Sequence, residues 1–84
     1  MMKVYIVIHT RQNGLAISAH SKQEAAYDFA LGLANARVKE TWAPVDRKSF
    51  DNLAYPKRLD FFNEIELQEY ASSEEINVYE RVMH

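Results

Sequence analysis

The chain has 84 residues, no cysteine and a formal net charge of −2 at pH 7. This length indicates a single domain, residues 1–84, with enough chain to bury a hydrophobic core without support from a metal or a disulfide. Because cysteine is absent, a disulfide scaffold, a thiolate zinc site and a cysteine nucleophile are excluded.

No stretch of the sequence predicts membrane association. The longest apolar run, Val4–Ile8, is far too short to span a bilayer, and the N-terminus lacks the basic and then apolar layout of a signal peptide. We therefore expect a soluble cytoplasmic protein.

Charge is distributed unevenly along the chain. Residues 1–59 carry nine Lys or Arg against five Asp or Glu, a net charge of +4, whereas residues 60–84 carry one Arg against seven Asp or Glu, a net charge of −6. The two parts either neutralise each other in the folded domain, which we favour, or leave an acidic surface that attracts a basic partner.

The first predicted element is a β-hairpin. Residues Lys3–Thr10 alternate around β-branched and aromatic side chains, Leu15–His20 do so more weakly, and Asn13-Gly14 stands between the two runs. Asn-Gly favours a two-residue type I′ turn, because both central residues of that turn need positive φ. The sequence therefore predicts that Asn13 and Gly14 form the whole connection.

This turn fixes which residues of the two strands lie side by side. It places Ile8 opposite Ala19 and Val7 opposite His20, and alternation then divides the side chains between two faces. The face predicted to form the core holds Val4, Ile6, Ile8, Leu15, Ile17 and Ala19. The face predicted to point outward holds Tyr5, Val7, His9, Arg11, Ser18 and His20.

An amphipathic helix is predicted directly after the hairpin. Ser21 and Glu24 have the spacing of a capping box, and Asn35 is of a type that often ends a helix. One apolar stripe consists of Ala26, Phe29, Ala30 and Leu33, and a narrower second stripe consists of Tyr27, Leu31 and Ala34. We expect the first stripe to pack on the sheet and the second on the C-terminal half of the chain, with a partner protein as the alternative.

The middle of the chain predicts a third strand and a short helix. Alternating side chains in Arg37–Ala43 indicate a half-exposed strand, which Pro44 closes because it cannot donate to a ladder. Apolar residues in Ser49–Ala54 have helical spacing, and Pro56 would end that helix.

The C-terminal part predicts a second hairpin. Residues Asn63–Tyr70 and Ile76–Met83 alternate between apolar and polar, and the polar face of the pair is acidic. Ser72 and Glu75 also match a capping box, so a terminal helix is the alternative, although Val, Ile and Tyr favour a strand. The predicted architecture is α+β: an N-terminal β-hairpin plus an amphipathic helix packed on a mostly antiparallel sheet, in the order ββαβ, short helix, ββ.

The outward face of the first hairpin carries the best-defined candidate site. The predicted pairing sets His9 beside Ser18 and diagonal to His20, about 7–8 Å apart at Cα, with Arg11 nearby. Both imidazoles could then reach one metal ion or one small anion. A metal site would need a third ligand, and no motif supplies one. We favour exposed histidines, and no metal, cofactor or catalytic residue is predicted.

A nucleic-acid-binding module is the second candidate function. The first part of the chain interleaves basic and aromatic residues, an arrangement that binds single strands by stacking bases beside a cationic groove. The basic residues are Arg11, Lys22, Arg37, Lys39, Arg47, Lys48, Lys57 and Arg58, and the aromatic ones are Trp42, Phe50 and Tyr55. The acidic net charge and the scattered basic positions make this function less favoured.

Four short features resemble small ββαβ proteins from bacteria and their phages. These features are Val4-Tyr5-Ile6-Val7, the Asn-Gly turn, Ser21-x-x-Glu24-Ala25 at the start of a helix, and Ala36-Arg37-Val38 at the start of a strand. Some proteins of that group are anti-CRISPR proteins or other inhibitors of host defence, which occupy a surface on a larger assembly. The resemblance implies a non-enzymatic phage or prophage protein that binds a host protein.

The partner surface on this interpretation is the acidic face of the second hairpin. Its glutamates would occupy a basic groove, and its tyrosines would be the aromatic anchors that interfaces favour. The predicted partner-binding residues are Glu64, Glu66, Glu69, Tyr70, Tyr79 and Glu80. A small-molecule site at His9, Arg11, Ser18 and His20 is the third candidate function, and a homodimer is a further alternative.

Overall fold

The computed structural model describes residues 2–83, apart from the side chains of Tyr55 and Pro56. The elements in chain order are β1 (Met2–Arg11), β2 (Gly14–His20), α1 (Gln23–Thr41), α2 (Pro44–Asp51), α3 (Tyr55–Gln68) and β3 (Glu75–Met83). The strands form one antiparallel sheet in the order β2-β1-β3, and α1 and α3 pack on one of its faces. The predicted α+β class with a β-hairpin first is confirmed.

The connection between β1 and β2 lies one residue earlier than predicted. Gln12 and Asn13 form the turn. Arg11 pairs with Gly14, which is the first residue of β2. Neither turn residue has positive φ, and neither does Gly14, so the predicted type I′ turn is wrong. Because the turn needs no left-handed residue, Gly14 is not required in the turn and instead pairs with Arg11 as part of β2.

The shifted turn moves the strand pairing by two residues. Ile8 lies opposite Ile17 instead of Ala19. Because two is an even number, side chains that were predicted to share a face still share it. The division of the hairpin into two faces is therefore correct, although the individual pairs are not.

The inside and outside of the hairpin are inverted relative to the prediction. Val7 and His9, predicted to point outward, are only 1% and 7% exposed, whereas Leu15 and Ile17, predicted core residues, are 60% and 62% exposed. Apolar side chains occupy both faces of β1, so alternation does not decide which face the helices cover. The helices cover the face that contains Val7.

Helix α1 begins close to the predicted position but is longer. No side chain caps its N-terminus, so the capping box predicted for Ser21 and Glu24 is wrong. The helix passes through Asn35, its predicted end, and continues to Thr41. It thereby contains most of the segment Arg37–Ala43, for which the predicted strand is also wrong.

A line of buried side chains explains the length of α1. The buried residues of the helix are Ala26, Ala30, Leu31, Ala34 and Val38. They continue at helical spacing past Asn35, so the buried stripe does not end there. Asn35 itself is exposed, and asparagine in a helix interior is only slightly unfavourable. Packing therefore extends the helix beyond the local stop signal.

The two predicted stripes of α1 differ in burial. Leu31 and Ala34 of the second stripe are buried in the chain's own core, so the expectation that the chain itself covers this stripe is confirmed. In the first stripe Ala26 and Ala30 are buried, but Phe29 is 45% exposed. The narrower stripe is thus the better covered of the two.

The predicted short helix exists as α2 but lies earlier in the chain than Ser49–Ala54. Pro44 opens this helix instead of closing a strand, because the missing N–H of proline is not needed in the first helical turn. The helix ends at Asp51. Phe50 is fully buried and anchors α2 to the core.

The segment Asn63–Tyr70, predicted as a strand, lies largely within α3. Leu59, Phe62 and Glu66 are buried at spacings of three and four residues, which is the spacing of a helix face. Apolar and acidic residues alternate within this short segment, which predicted a strand. The helical spacing becomes visible only when Leu59 and Phe62, before the segment, are included. The predicted second hairpin is therefore wrong.

Strand β3 confirms the predicted strand over Ile76–Met83 and excludes the alternative of a terminal helix. It pairs antiparallel with β1, from Met2 opposite Met83 to Thr10 opposite Glu75. β1 is therefore the central strand, and the two ends of the described chain lie side by side.

One side chain ties α3 to β3. Asn63 donates from Nδ2 to the carbonyl oxygen of Ile76 at 2.9 Å and accepts at Oδ1 from the N–H of Ile76 at 2.8 Å. The amide thus satisfies both backbone groups of a fully buried residue, as a neighbouring strand would. This contact fixes where β3 lies against α3.

Replacing Gly14 by alanine tests the turn. Gly14 has no positive φ and an added Cβ meets nothing within 4 Å, so we expect the free energy of unfolding to stay level or to rise by up to about 1 kcal/mol. A left-handed glycine, as the sequence predicted, would make the same substitution cost about 1–2 kcal/mol. Urea denaturation distinguishes the two. Gly32→Ala, at an unobstructed position inside α1, is a positive control that should stabilise by about 0.5–1 kcal/mol.

Replacing Asn63 by aspartate tests the link between α3 and β3. The carboxylate lacks the N–H donor and faces the Ile76 carbonyl, so we expect the free energy of unfolding to fall by about 1–3 kcal/mol. Asn35→Asp, at an exposed site on α1, is the matched control and should change it by less than about 0.5 kcal/mol. Equal losses in urea denaturation would contradict the role assigned to Asn63.

Candidate functional site

The sheet has one face covered by helices and one uncovered face. The apolar side chains of the uncovered face, called the open face below, are Met2, Val4, Ile6, Ile8, Leu15, Ile17, Ala19, Tyr79 and Met83. Met2, Leu15, Ile17 and Met83 are each more than half exposed. Thr10 and Asn77 point to the same side, so the apolar surface is continuous mainly over β1 and β2 and is bordered by polar residues on β3. Exposed apolar surfaces with a polar border mark binding sites.

The composition of the open face differs from that of a sheet surface adapted to water. An antiparallel sheet with one solvated side normally alternates apolar residues inward and polar residues outward. On β1, however, Val4, Ile6 and Ile8 point to the open side while Tyr5 and Val7 point to the helices. Both faces of the central strand are therefore apolar.

Charged side chains flank the open face on β3. Within residues 2–83, those on the same side of the sheet are Glu75, opposite Thr10 at one end, and Arg81, opposite Val4 towards the other. The Arg81 guanidinium lies over the Tyr79 ring, 5.3 Å from its centroid, which is a favourable cation–π geometry. The open face thus has an acidic end and a basic end.

A carboxylate is fully buried between α1 and α3. Glu66 has 0% exposure, and its Oε1 accepts hydrogen bonds from Trp42 Nε1 at 2.7 Å and Arg37 Nε at 3.1 Å. A buried carboxylate is strongly destabilising unless it is paired and hydrogen-bonded, and both conditions are met here. The hydrogen bond to Glu66 raises the pKa of Arg37, so the guanidinium stays charged.

The polar network continues to β1 through Glu74. Its Oε2 lies 3.1 Å from Arg37 Nε and its Oε1 lies 2.7 Å from His9 Nε2. The side chains of His9 and Glu74 are only 8% and 13% exposed. The chain of contacts Trp42–Glu66–Arg37–Glu74–His9 therefore joins α1 and α3 to the central strand.

Trp42 is the centre of an aromatic cluster in the core. Phe62 and Tyr70 stack with its ring at centroid distances of 5.7 Å and interplanar angles of 9° and 13°. Phe50 and Phe61 meet the ring edge-on at 5.7 and 5.9 Å. Trp42 is 4% exposed, so its predicted role as a platform for stacking bases is wrong.

Tyr70 is a structural residue of the same cluster. Its hydroxyl accepts a hydrogen bond from the N–H of Ala43 at 2.7 Å and donates one to Asp46 Oδ2 at 2.9 Å. Burial raises the pKa of the Tyr70 phenol, and the hydrogen bond to Asp46 raises it further, so the hydroxyl keeps its proton. Tyr70 positions α2, whereas the sequence predicted a partner-binding anchor.

A polar cleft of about 740 Å³ opens beside the buried network. It lies between the hairpin tip Arg11–Gly14, Arg37 and the segment Tyr70–Glu74. Ala71 in that segment has a φ of 50°, in the left-handed region that costs a non-glycine residue about 1–2 kcal/mol. The left-handed residue sends the chain back from the end of α3 and forms one wall of the cleft.

The four residues predicted as a ligand site are only partly brought together. His9, Arg11 and Ser18 line a small cavity of about 150 Å³. His20 lies opposite Tyr5, four residues from His9 along β1 and therefore about 13 Å away, and its Nε2 is 3.0 Å from Ser18 Oγ. The two imidazoles cannot share one ion, and no group of three or more metal-ligating side chains occurs among the described residues.

The predicted acidic sheet face does not form. Glu64, Glu66 and Glu69 lie on α3 or directly after it, and Glu66 is buried. Tyr79 and Glu80 do lie on β3, but consecutive side chains of a strand point to opposite faces. Tyr79 belongs to the open face and Glu80 to the helix side. The prediction failed because it treated the end of α3 as a strand.

The predicted nucleic-acid surface is not assembled either. Phe50 is buried with Trp42, and the side chain of Tyr55 lies outside the described residues. Arg37 belongs to the buried network, and Arg58 donates to two backbone carbonyls that follow or end α2. The aromatic platform and part of the basic set therefore serve the fold.

The buried charge pair was missed by the sequence analysis. Glu66 stands on one helical stripe with Leu59 and Phe62, and a carboxylate on an apolar stripe is a signal that could have identified it. Its partner Arg37 was concealed because the segment around it was assigned to a strand.

Comparison of the chain with protein-family models, curated proteins and solved structures finds no match. The resemblance to small ββαβ proteins therefore stays a prediction, and one of its features, Ala36-Arg37-Val38, lies inside α1 instead of opening a strand. Among residues 2–83, no helix combines the length and the apolar character needed to cross a membrane.

Replacing Glu66 by glutamine tests the buried network. The amide has one acceptor oxygen, and its NH₂ group faces the N–H donors of Arg37 or Trp42, so we expect the free energy of unfolding to fall by about 2–3 kcal/mol. Glu64→Gln, at an exposed site on the same helix, is the matched control and should change it by less than about 0.5 kcal/mol. A Glu66→Gln protein as stable as the control in urea would show that the carboxylate does not hold the helices together.

Proposed function

We propose that this chain is a non-enzymatic interaction protein that docks through its open face, and that its docking partner is a second copy of the same chain. One observation carries the proposal: β1 is apolar on both faces, and the helices cover only one. In an isolated molecule Leu15 and Ile17 stay largely in water, whereas burying each side chain fully would contribute roughly 1.5–3 kcal/mol. Burial of the open face by a partner would therefore give the largest gain in hydrophobic free energy.

The charges beside the open face favour a second copy as that partner. If two open faces pack about a two-fold axis perpendicular to the strands, β3 of one copy crosses β3 of the other in the opposite direction. Glu75 of each copy then lies against Arg81 of the other, the self-complementarity that a two-fold interface requires. An axis along the strands would instead place both charges over the apolar side chains of β2. The first arrangement is the one that pairs opposite charges.

The size of the open face indicates a weak dimer. Three strands about 4.8 Å apart and about seven residues long give a footprint of roughly 14 by 23 Å. Stable complexes of standard size bury about 800 Å² on each partner, whereas this footprint is only about 320 Å² and falls in the range of weak, transient interfaces. We expect a dissociation constant in the micromolar range.

The contacts of the titratable side chains support a non-enzymatic role. His9 and Glu74 contact each other, and Glu66 is held by Arg37 and Trp42, so these groups form one mutually satisfied network. The lack of cysteine favours the cytoplasm as the site of action. A host protein as a further partner stays a prediction, since the acidic residues that it invoked lie on separate elements.

Replacing Ile17 by lysine tests the docking surface. Ile17 is 62% exposed, so lysine is compatible with the fold of the monomer, but in a dimer it would bury an unpaired charge. We expect sedimentation equilibrium to show a concentration-dependent dimer for the unmodified chain and a monomer for Ile17→Lys. Leu67→Lys, at a 70% exposed site on α3, is the matched control and should dimerise like the unmodified chain.

Two charge reversals test the orientation of the copies. Glu75→Arg should weaken the dimer, and adding Arg81→Glu to it should restore the dimer, because opposite charges then face each other again. A chain that stays monomeric at every concentration, or an Ile17→Lys variant that dimerises as well as Leu67→Lys, overturns the proposal. A dimer that the second reversal does not restore overturns the two-fold arrangement alone.

A further inference from the structure

The polar cleft presents hydrogen-bond donors that the fold does not use. Arg11 is exposed, and it makes no ion pair or hydrogen bond with any described residue. Arg37 uses Nε for Glu66 and Glu74 and Nη2 for a longer contact of 3.5 Å with Glu66. Its Nη1 has no partner among residues 2–83. Two guanidinium groups that line the cleft therefore retain free N–H donors.

The carboxylates near the cleft are already paired. Glu74 lines the cleft, but its Oε1 contacts His9 and its Oε2 contacts Arg37. Glu66 is fully buried and bonded to Trp42 as well as Arg37. The N–H groups of the cleft that have no partner among the described residues therefore belong to Arg11 and Arg37, and free N–H donors suit an anion.

Uncharged polar groups surround the two arginines. The Oγ of Ser72 accepts the N–H of Glu74 at 3.0 Å, so the hydroxyl hydrogen of Ser72 remains able to donate. Ser73, Gln12 and Asn13 also line the cleft. A volume of about 740 Å³ is within the range of small-molecule sites.

We infer that this cleft binds a small oxyanion of the carboxylate or phosphate class, with Arg11 as the main charged ligand. Guanidinium groups match such oxyanions by paired N–H donors. Glu66 and Glu74 hold Arg37 in place before any ligand arrives, and a fixed donor loses less conformational freedom on binding than a mobile one. The cleft lies on the helix side of the sheet and is therefore separate from the open face.

Titration with inorganic phosphate and with succinate tests this site. Both are added at constant ionic strength against chloride, and backbone amide shifts are followed by NMR. We expect saturable shifts confined to the segments Arg11–Gly14 and Ala71–Glu74. Arg11→Gln removes the main charged ligand, so we expect it to weaken binding by about tenfold or more.

Two further variants make the result specific. Lys22→Gln removes the same charge at an exposed site beyond the far end of β2, and we expect it to bind like the unmodified chain. Ile17 is not among the residues that line the polar cleft, and we expect Ile17→Lys to keep the anion affinity whether or not the chain self-associates. The experiments can therefore contradict anion binding in the cleft without contradicting self-association through the open face, and the reverse.

Each outcome of the titration decides the inference. Saturable binding of phosphate, of succinate or of both, reduced in Arg11→Gln and retained in Lys22→Gln, supports it and identifies the class of oxyanion. The absence of saturable shifts for both anions overturns it. Equal affinity in Arg11→Gln and in the unmodified chain also overturns it, since exposed Arg11 can be replaced without loss of fold.

Discussion

The fold is constrained by a difference between the two layers: the sheet is apolar on both faces, but the helices cover only one of them. β1 has apolar side chains on both faces, with Ile6 and Ile8 on one and Tyr5 and Val7 on the other. The described helices pack on the second face only. A sheet that is apolar on both faces needs a covering layer on each. One layer is supplied within the chain, and self-association would supply the other.

The covered face is organised by a charge network as well as by apolar packing. Glu66 holds α1 and α3 together through Arg37 and Trp42, and Glu74 extends the contacts from Arg37 to His9 on β1. A buried ionic network adds little net stability compared with well-packed apolar residues, but breaking one member of it is strongly destabilising. The network therefore restricts how the helices can pack, and it also orients Arg37 at the edge of the polar cleft.

The spacing of apolar residues in the sequence predicted several individual strands and helices. How those elements pack was decided by contacts between residues far apart in the sequence. The hairpin strands, the start of α1 and the strand over Ile76–Met83 follow from residue type and period, and the hairpin faces were divided correctly. In Asn63–Tyr70 the local period of two competed with a helical stripe that includes Glu66. A carboxylate on that stripe signals a buried charge, but its partner Arg37 lies far away in sequence and only the fold places the two together. The predicted ligand site was also wrong because of a tertiary detail: the turn lies one residue earlier than predicted, and this moves His20 away from His9 and Arg11.

The helices cover the less apolar face of the sheet, and this leaves the more apolar face for the proposed second copy. The open face contains three isoleucines, so an isolated chain would gain more hydrophobic stabilisation by burying that face. The helices instead cover the face with Tyr5 and His9, whose polar atoms find Glu80 at 3.3 Å and Glu74 at 2.7 Å. Glu74 reaches His9 from the segment before β3, so with the faces exchanged His9 would lose this partner, whereas Tyr5 and Glu80 are paired across the strands and would keep each other on either face. The contact of His9 with Glu74 therefore favours the face that the helices cover, and the more apolar face is the one proposed for contact between molecules.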